Sequence, residues 1–324
     1  MTVLTFFFQN MVSPPVLFFL LGCLSGFIKS DLVIPDSISR YLSIYLMMAI
    51  GFKGGVALTD TPEINGQVLS MLLVGLGIGF LQPFVGFSLL KITTKLDRTT
   101  AAAVSAHYGS ISVVTFVTAV SFLQEGHILY AGYIVAVLAL MEAPAILSGL
   151  MIANHGLSKG LEQKRGSLRE IFTNGAILLL IGSFLIGIIT GKEGLEKMNG
   201  FLVDPFQGFL ALFLLDMGLL VSRQAHHLKE FSPSLFAFGI YMPLIGGAFG
   251  VGLSKLLGLD IGTGTLFMVL CASASYIAVP AAMRTALPHA KAGVYIPLSL
   301  GITFPFNILF GIPFYFLIAK YILN

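Results

Sequence analysis

The 324-residue chain is 56% hydrophobic and 10% charged, with a formal net charge of +3, whereas an ordinary soluble domain has about 25% charged residues. That composition excludes a soluble globular protein, because only a bilayer absorbs so many apolar helices of about 20 residues with their backbone groups bonded internally. The small, dispersed charge also excludes a nucleic-acid partner, and the two cysteines, Cys23 and Cys271, stand far apart in apolar stretches and read as packing residues.

Taken in chain order, apolar stretches predict ten membrane-spanning helices, over 13–29, 37–57, 66–90, 99–122, 128–154, 171–190, 201–221, 232–254, 262–285 and 292–319. The start of the chain has neither the basic residues nor the small-residue cleavage site of a secretory signal, so it is expected to remain as the first span. Thirteen of the 18 Lys and Arg residues fall on one side of this topology, leaving Lys53, Lys192, Lys197, Lys255 and Lys320 on the other. By the positive-inside rule, both termini lie outside and the 155–169 loop is cytoplasmic.

Ten spans divide into two fives of opposite orientation, which is how many transporters are built by duplication. Three weak alignments occur in the same order: Pro35 with Pro205, AHYGSISVV with ASASYIAVP (Gly109 with Ser275, Ile111 with Ile277), and Pro144 with Pro305. The expected organisation is a first repeat over 1–154, a linker over 155–169 and a second repeat over 170–324.

Spans four and nine carry small and hydroxylated residues through their middles: Ser105, His107, Tyr108, Gly109, Ser110, Ser112 and Thr115 in one, Ser273, Ser275, Tyr276 and Pro280 in the other. One such residue is commonly a close-packing device. Two clusters in corresponding places predict discontinuous helices, whose exposed N–H ends attract anions and whose freed carbonyls coordinate cations. Glu142 stands in MEAPA without a basic neighbour in its span, and a carboxylate there needs a cavity, a cation or a partner. Pro144 is expected to loosen the backbone beside it. Lys53 and Asp216 are further charges on spans two and seven, where mutual pairing competes with snorkelling of Lys53 to the interface. His226 and His227, beside Arg223 and Lys229, read as solvated. HExxH, GxSxG and Walker loops are missing from the sequence, and His107 near Ser105 and Ser110 is its only nucleophile-like cluster, so catalysis is not expected.

At these residues the chain resembles the sodium-dependent bicarbonate transporters of cyanobacterial type. YGSISVVTFVTAVSFLQE (108–125) looks like that family's first crossover, with Gly109, Ser112 and Thr115 at motif positions. MEAPAILSGLMIAN (141–154) is similar to its M-D-x-P-A segment, with Glu142 for Asp. SASYIAVPAAMRTALPHAKAGVYI (273–296) looks like its second crossover through Ser273, Ser275, Ile277, Pro280, Arg284 and Pro288, and GFKGG at 51–55 also fits. The sequence departs from the pattern at Tyr276, where the family has Asp, and at Val113, Val114, Ala278 and Val279, where it has Ser or Gly.

The resemblance implies an all-α inverted five-plus-five fold with crossed, broken helices in spans four and nine. It implies a core domain of spans 3–5 and 8–10, a gate domain of spans 1–2 and 6–7, a trimer, and a location in the bacterial inner membrane. It also implies sodium-coupled uptake of a small anion, bicarbonate first, the alternative being another small organic anion or coupling to protons. Sodium enters as a coupling ion. The anion is then expected at Gly109, Ser110, Ile111, Ser112, Ser275, Tyr276, Ile277 and Ala278, and sodium at Ser105, Thr115, Glu142, Ser273, Ser299 and Thr303. A PII-like regulatory protein is the family's further partner, although the cytoplasmic loop after span five is short here.

Overall fold

The structure is a computed structural model that describes residues 11–59, 66–155, 175–276 and 278–324, all of them helix, turn or irregular backbone with no strand among the described residues. The first half contains α1 (Pro14–Phe27), α2 (Asp36–Thr59), α3 (Gly66–Thr93), α4 (Arg98–Gly109), α5 (Val113–Glu125) and α6 (Ile134–Asn154). The second half contains α7 (Gly175–Lys197), α8 (Phe206–Leu228), α9 (Pro233–Leu256), α10 (Ile261–Ala272) and α11 (Ala278–Ala286), and ends with α12 (Ala292–Ile322). Eight stretches are long and apolar enough to cross a membrane, one of them the α4–α5 pair taken together, while α1 and α10 are shorter apolar helices. Within the described residues the predicted stretches fall largely on helix, eight of them long enough to span, and two local expectations differ.

Span five was expected from residue 128 but α6 begins at Ile134, because Gly126 ends α5 and His127 adopts a positive φ of 53° in the turn that follows. Pro144 does not break α6, which runs helical on both sides of it. The 155–169 linker and the first residues of span six lie outside the described residues, apart from His155.

Helices pair in a regular way. α1 packs along α8 and α2 along α7, while α3 packs against α4 and α6, and α9 against α10. The first two pairs approach closely at glycine: a Cβ on Gly22 would overlap the Leu215 carbonyl, and one on Gly55 the Phe184 carbonyl. Without a hydrophobic driving force between helices in lipid, such close backbone approach is what holds them.

The two broken helices begin alike. Asp97 caps α4 by accepting from the Thr100 N–H at 2.8 Å, and Asp260 caps α10 by accepting from the Thr263 N–H at 2.9 Å. Each threonine hydroxyl then accepts from a backbone N–H just before a distant helix, Thr100 from Lys291 at 3.2 Å and Thr263 from Ala131 at 2.8 Å. The two ends of the bundle follow from this. Lys95, His227 and Lys291 line one cavity, and Ile128, Asp260 and Leu323 another. α4 starts at the first of these ends and α10 at the second.

Burial raises the affinity of the Asp97 carboxyl for a proton, but the Thr100 N–H, the Thr100 hydroxyl and the Lys291 charge outweigh it and hold the group below the ordinary 3.8. A depressed carboxylate stabilises fully above its unfolded value and loses that contribution as pH falls through the folded one. Asp97→Ala is expected to lower stability by about 1 kcal/mol at pH 7. The gap between wild type and variant in detergent melts should close as pH drops below 3.8.

Candidate functional site

α4 and α10 each run 12 residues and stop in the middle of the molecule. Ser110 (φ −89°, ψ 179°) and Ser273 (φ −88°, ψ 167°) turn the chain into extended backbone after each stop. Both breaks are thus the same event on opposite sides. They meet directly: the Ser112 N–H donates to the Ser273 hydroxyl at 2.9 Å, and the Ser275 N–H donates to the His107 carbonyl at 2.8 Å. The helices that leave the crossing are capped by the same serines, Ser112 accepting from the Thr115 N–H at 3.2 Å and Ser275 from the Val279 N–H at 3.3 Å. The N-termini of α5 and α11 therefore point at one place, where their dipoles favour negative charge.

Two amides hold the ends in register. Gln82 on α3 donates at 2.6 Å to both the Tyr108 and the Cys271 carbonyls, one from each broken helix, and Asn307 on α12 donates to the Ala272 carbonyl at 2.9 Å. These satisfy carbonyls that a stopped helix leaves orphaned. Tyr108 reaches the Thr303 hydroxyl at 2.6 Å, and Thr303 donates to the Gly239 carbonyl at 2.7 Å, so α4, α9 and α12 share one buried chain of hydrogen bonds. Close approach depends on Gly109 and Gly246, where a Cβ would overlap Pro83 and the Cys271 carbonyl respectively. Along α12 the helix widens to π geometry at Ser299–Thr303 and Asn307–Gly311, where Thr303 and Asn307 turn inward. Such widened turns are frequent at functional sites.

A cavity of about 280 Å³ reaches the second break, lined by Asp36, Ser39 and Arg40 of α2 and by Tyr276 and Leu300. Phe213 of α8 forms one wall. The Tyr276 hydroxyl is buried without a hydrogen-bond partner, turned toward Ser112 but outside bonding geometry, and its ring packs edge-on to Phe304 at 5.3 Å.

Against known families, the model of the Na+-dependent bicarbonate transporter superfamily matches residues 14–320, nearly the whole chain. The chain belongs to this superfamily. No curated protein matches it. Membership places the protein among membrane transporters, and the resemblance read at the two crossovers extends over residues 14–320.

The residues singled out for the superfamily's substrate and ion fall as follows. Gly109, Ser110, Ile111, Ser112 and Ser275 are all buried at the crossing, with the Ser110 hydroxyl lacking a partner. Ala278 opens α11, and Ile277 lies outside the described residues. Of the candidate sodium ligands, Thr115 donates to the Ser112 hydroxyl at 2.9 Å and Ser273 to the Leu270 carbonyl at 3.0 Å, both at the crossing. Ser105 and Ser299 instead bond back to their own helices, at Ala102 and Tyr295.

Glu142 is 4% exposed and, among the described residues, has no hydrogen bond or ion pair. Its level follows from the antiparallel contact of α4 and α6. Gly149 sits on Ala106, and Arg98 donates to the Ile152 carbonyl at 2.9 Å. Glu142, seven residues before Gly149 and on the same face, stands about 10 Å along the axis, level with the first break.

Lys53 and Asp216 do not pair. The Lys53 ammonium stacks 4.1 Å from the centre of the Phe206 ring, and Asp216, ten residues and about 15 Å further along α8, accepts from the Ser39 hydroxyl. Lys53 thus gains a cation–π contact. Neither Gln82 nor Asn307 belongs to a sequence motif; each is an amide in an apolar span, Gln82 sharing its helix with Gln67, and that amide was the only signal.

Proposed function

We propose that the protein imports a small anion, hydrogencarbonate first, in symport with sodium across a bacterial inner membrane, with both chain termini outside. The observation that carries this reading is the crossing itself, where N-termini of α5 and α11 converge with buried hydroxyls in an otherwise apolar bundle. The helix N-termini meet the anion's charge there, and Tyr276 places a neutral donor where the family pattern has a carboxylate, while the Arg40 guanidinium in the cavity lining is balanced by the Asp36 carboxylate. A hydroxyl does not repel an anion.

The fold is read as ten spans in two inverted repeats. The matched Asp-capped starts of α4 and α10, each with its threonine bracing a distant loop, support that symmetry better than the sequence alignments do. Pairing of α1 with α8 and α2 with α7 supports a gate separate from a core of spans 3–5 and 8–10, sliding along the surface that bears Tyr276.

Purified protein in liposomes should accumulate labelled hydrogencarbonate when a sodium gradient is imposed inward. Absence of uptake of any small anion under sodium or pH gradients rejects the reading. Tyr276→Phe removes one donor to a charged substrate, an interaction of about 1.5–3 kcal/mol, so KM should rise about 10- to 100-fold with kcat changed less.

A further inference from the structure

We propose a second binding site, for a glycerophosphate group, in the cavity of about 570 Å³ between the α3–α4 loop, the α8–α9 connection and the start of α12. Its volume lies in the range of small-molecule sites, about 300–1,000 Å³, and exceeds what a bare inorganic ion fills.

The lining sets the chemistry. Lys95, Lys291 and His227 line the cavity from three separate segments, and Glu230 and Ser232 follow His227 on the α8–α9 connection. No ion pair ties Lys95 among the described residues, and Lys291 feels Asp97, whose carboxylate is already engaged by Thr100. Two lysine ammoniums and an imidazole around one space match a phosphate, which an ammonium binds as a point charge. The lone carboxylate of Glu230 repels a second phosphate and instead accepts hydrogen bonds, so the complement is a phosphate bearing hydroxyls. Glycerol phosphate has both, and it occurs free in solution and as the head of phosphatidylglycerol; basic pockets between helix ends are places where lipid heads bind.

The position of the site gives it a consequence for transport. Lys95 and Lys291 belong to the proposed core, whereas His227 closes α8 of the proposed gate, and the α8–α9 connection joins the two. Leu228, the next residue, lies against Gly301 of α12. A ligand held by both bodies resists their sliding. This regulatory effect rests on the core-and-gate reading above, while binding itself does not.

The full-length protein is reconstituted in phosphatidylcholine nanodiscs and titrated calorimetrically with glycerol 3-phosphate, beside a Lys95→Gln/Lys291→Gln double variant. Both lysines are exposed, so the variant should melt close to the wild type, short only of the Lys291 attraction to Asp97. Saturable binding to wild type, weakened at least tenfold in the variant, is the expected result. Uptake is then measured in phosphatidylcholine vesicles with and without internal glycerol 3-phosphate, and in vesicles containing phosphatidylglycerol. Slowing several-fold by the free compound alone identifies a soluble ligand, and slowing by phosphatidylglycerol alone identifies the lipid head. No binding from either source, or equal binding by wild type and variant, overturns the site. Intact binding in a protein that transports nothing leaves the site standing and removes the transport reading instead.

Discussion

Replacing Gln82 with leucine is expected to lower stability by about 2–6 kcal/mol and to abolish uptake. One side-chain amide donates at 2.6 Å to two buried carbonyls, Tyr108 and Cys271, that terminate different half-helices. Leucine fills a similar volume but leaves both carbonyls without a donor, and each buried orphan costs about 1–3 kcal/mol. Against a total stability of roughly 5–15 kcal/mol, that is a large fraction. Unfolding in mixed micelles measures the loss. Gln82→Glu separates structure from function: a protonated carboxyl offers one donor, so about half the stability should return while the two breaks remain misaligned and transport stays low. Should Gln82→Leu unfold with the wild type and transport normally, the amide is not what joins the two halves.

How much of this was legible beforehand depends on the kind of signal. Helix positions followed from apolar length alone, since a bilayer admits little else, and the breaks followed from the serines and glycines that make poor lipid contacts. The start of α6 was misplaced because ILYAGY at 128–133 is as apolar as a helix, while its actual job is to present the Ala131 N–H to Thr263. That contact spans 132 residues of sequence, which no local pattern reveals. The same holds for Lys53. Its charge suggested an acidic partner on the equivalent helix, yet the helical register brings Phe206 to it and turns Asp216 toward Ser39. By contrast, the paired starts Asp97-x-x-Thr100 and Asp260-x-x-Thr263 carry a local helix-cap pattern that the sequence expectations passed over, and they support the proposed repeat better than Pro35 and Pro205 do.

Glu142→Gln should remove the sodium dependence of uptake while leaving the protein as stable as the wild type, or more so, in sodium-free buffer. A carboxylate that is 4% exposed and unpaired among the described residues is a burden on the empty protein, because desolvating a charge without a partner is unfavourable. Glutamine keeps the shape and discards the charge. The wild type should regain stability as sodium is added, by RT ln(1 + [Na+]/Kd), or about 2.7 kcal/mol at one hundred times Kd. The variant should not respond. Melting temperature against sodium concentration reads this directly, with potassium as the control for ionic strength. If a pH gradient drives uptake and sodium shifts neither melt, Glu142 carries a proton instead. A merely structural glutamate would behave in the opposite manner: the glutamine variant would melt lower, and its sodium response would match the wild type. The position of Glu142, level with the break at Ser110 to Ser112, is why the coupling outcome is the one expected, since an ion bound there would neutralise the carboxylate at the depth where the two half-helices meet and the anion is proposed to bind.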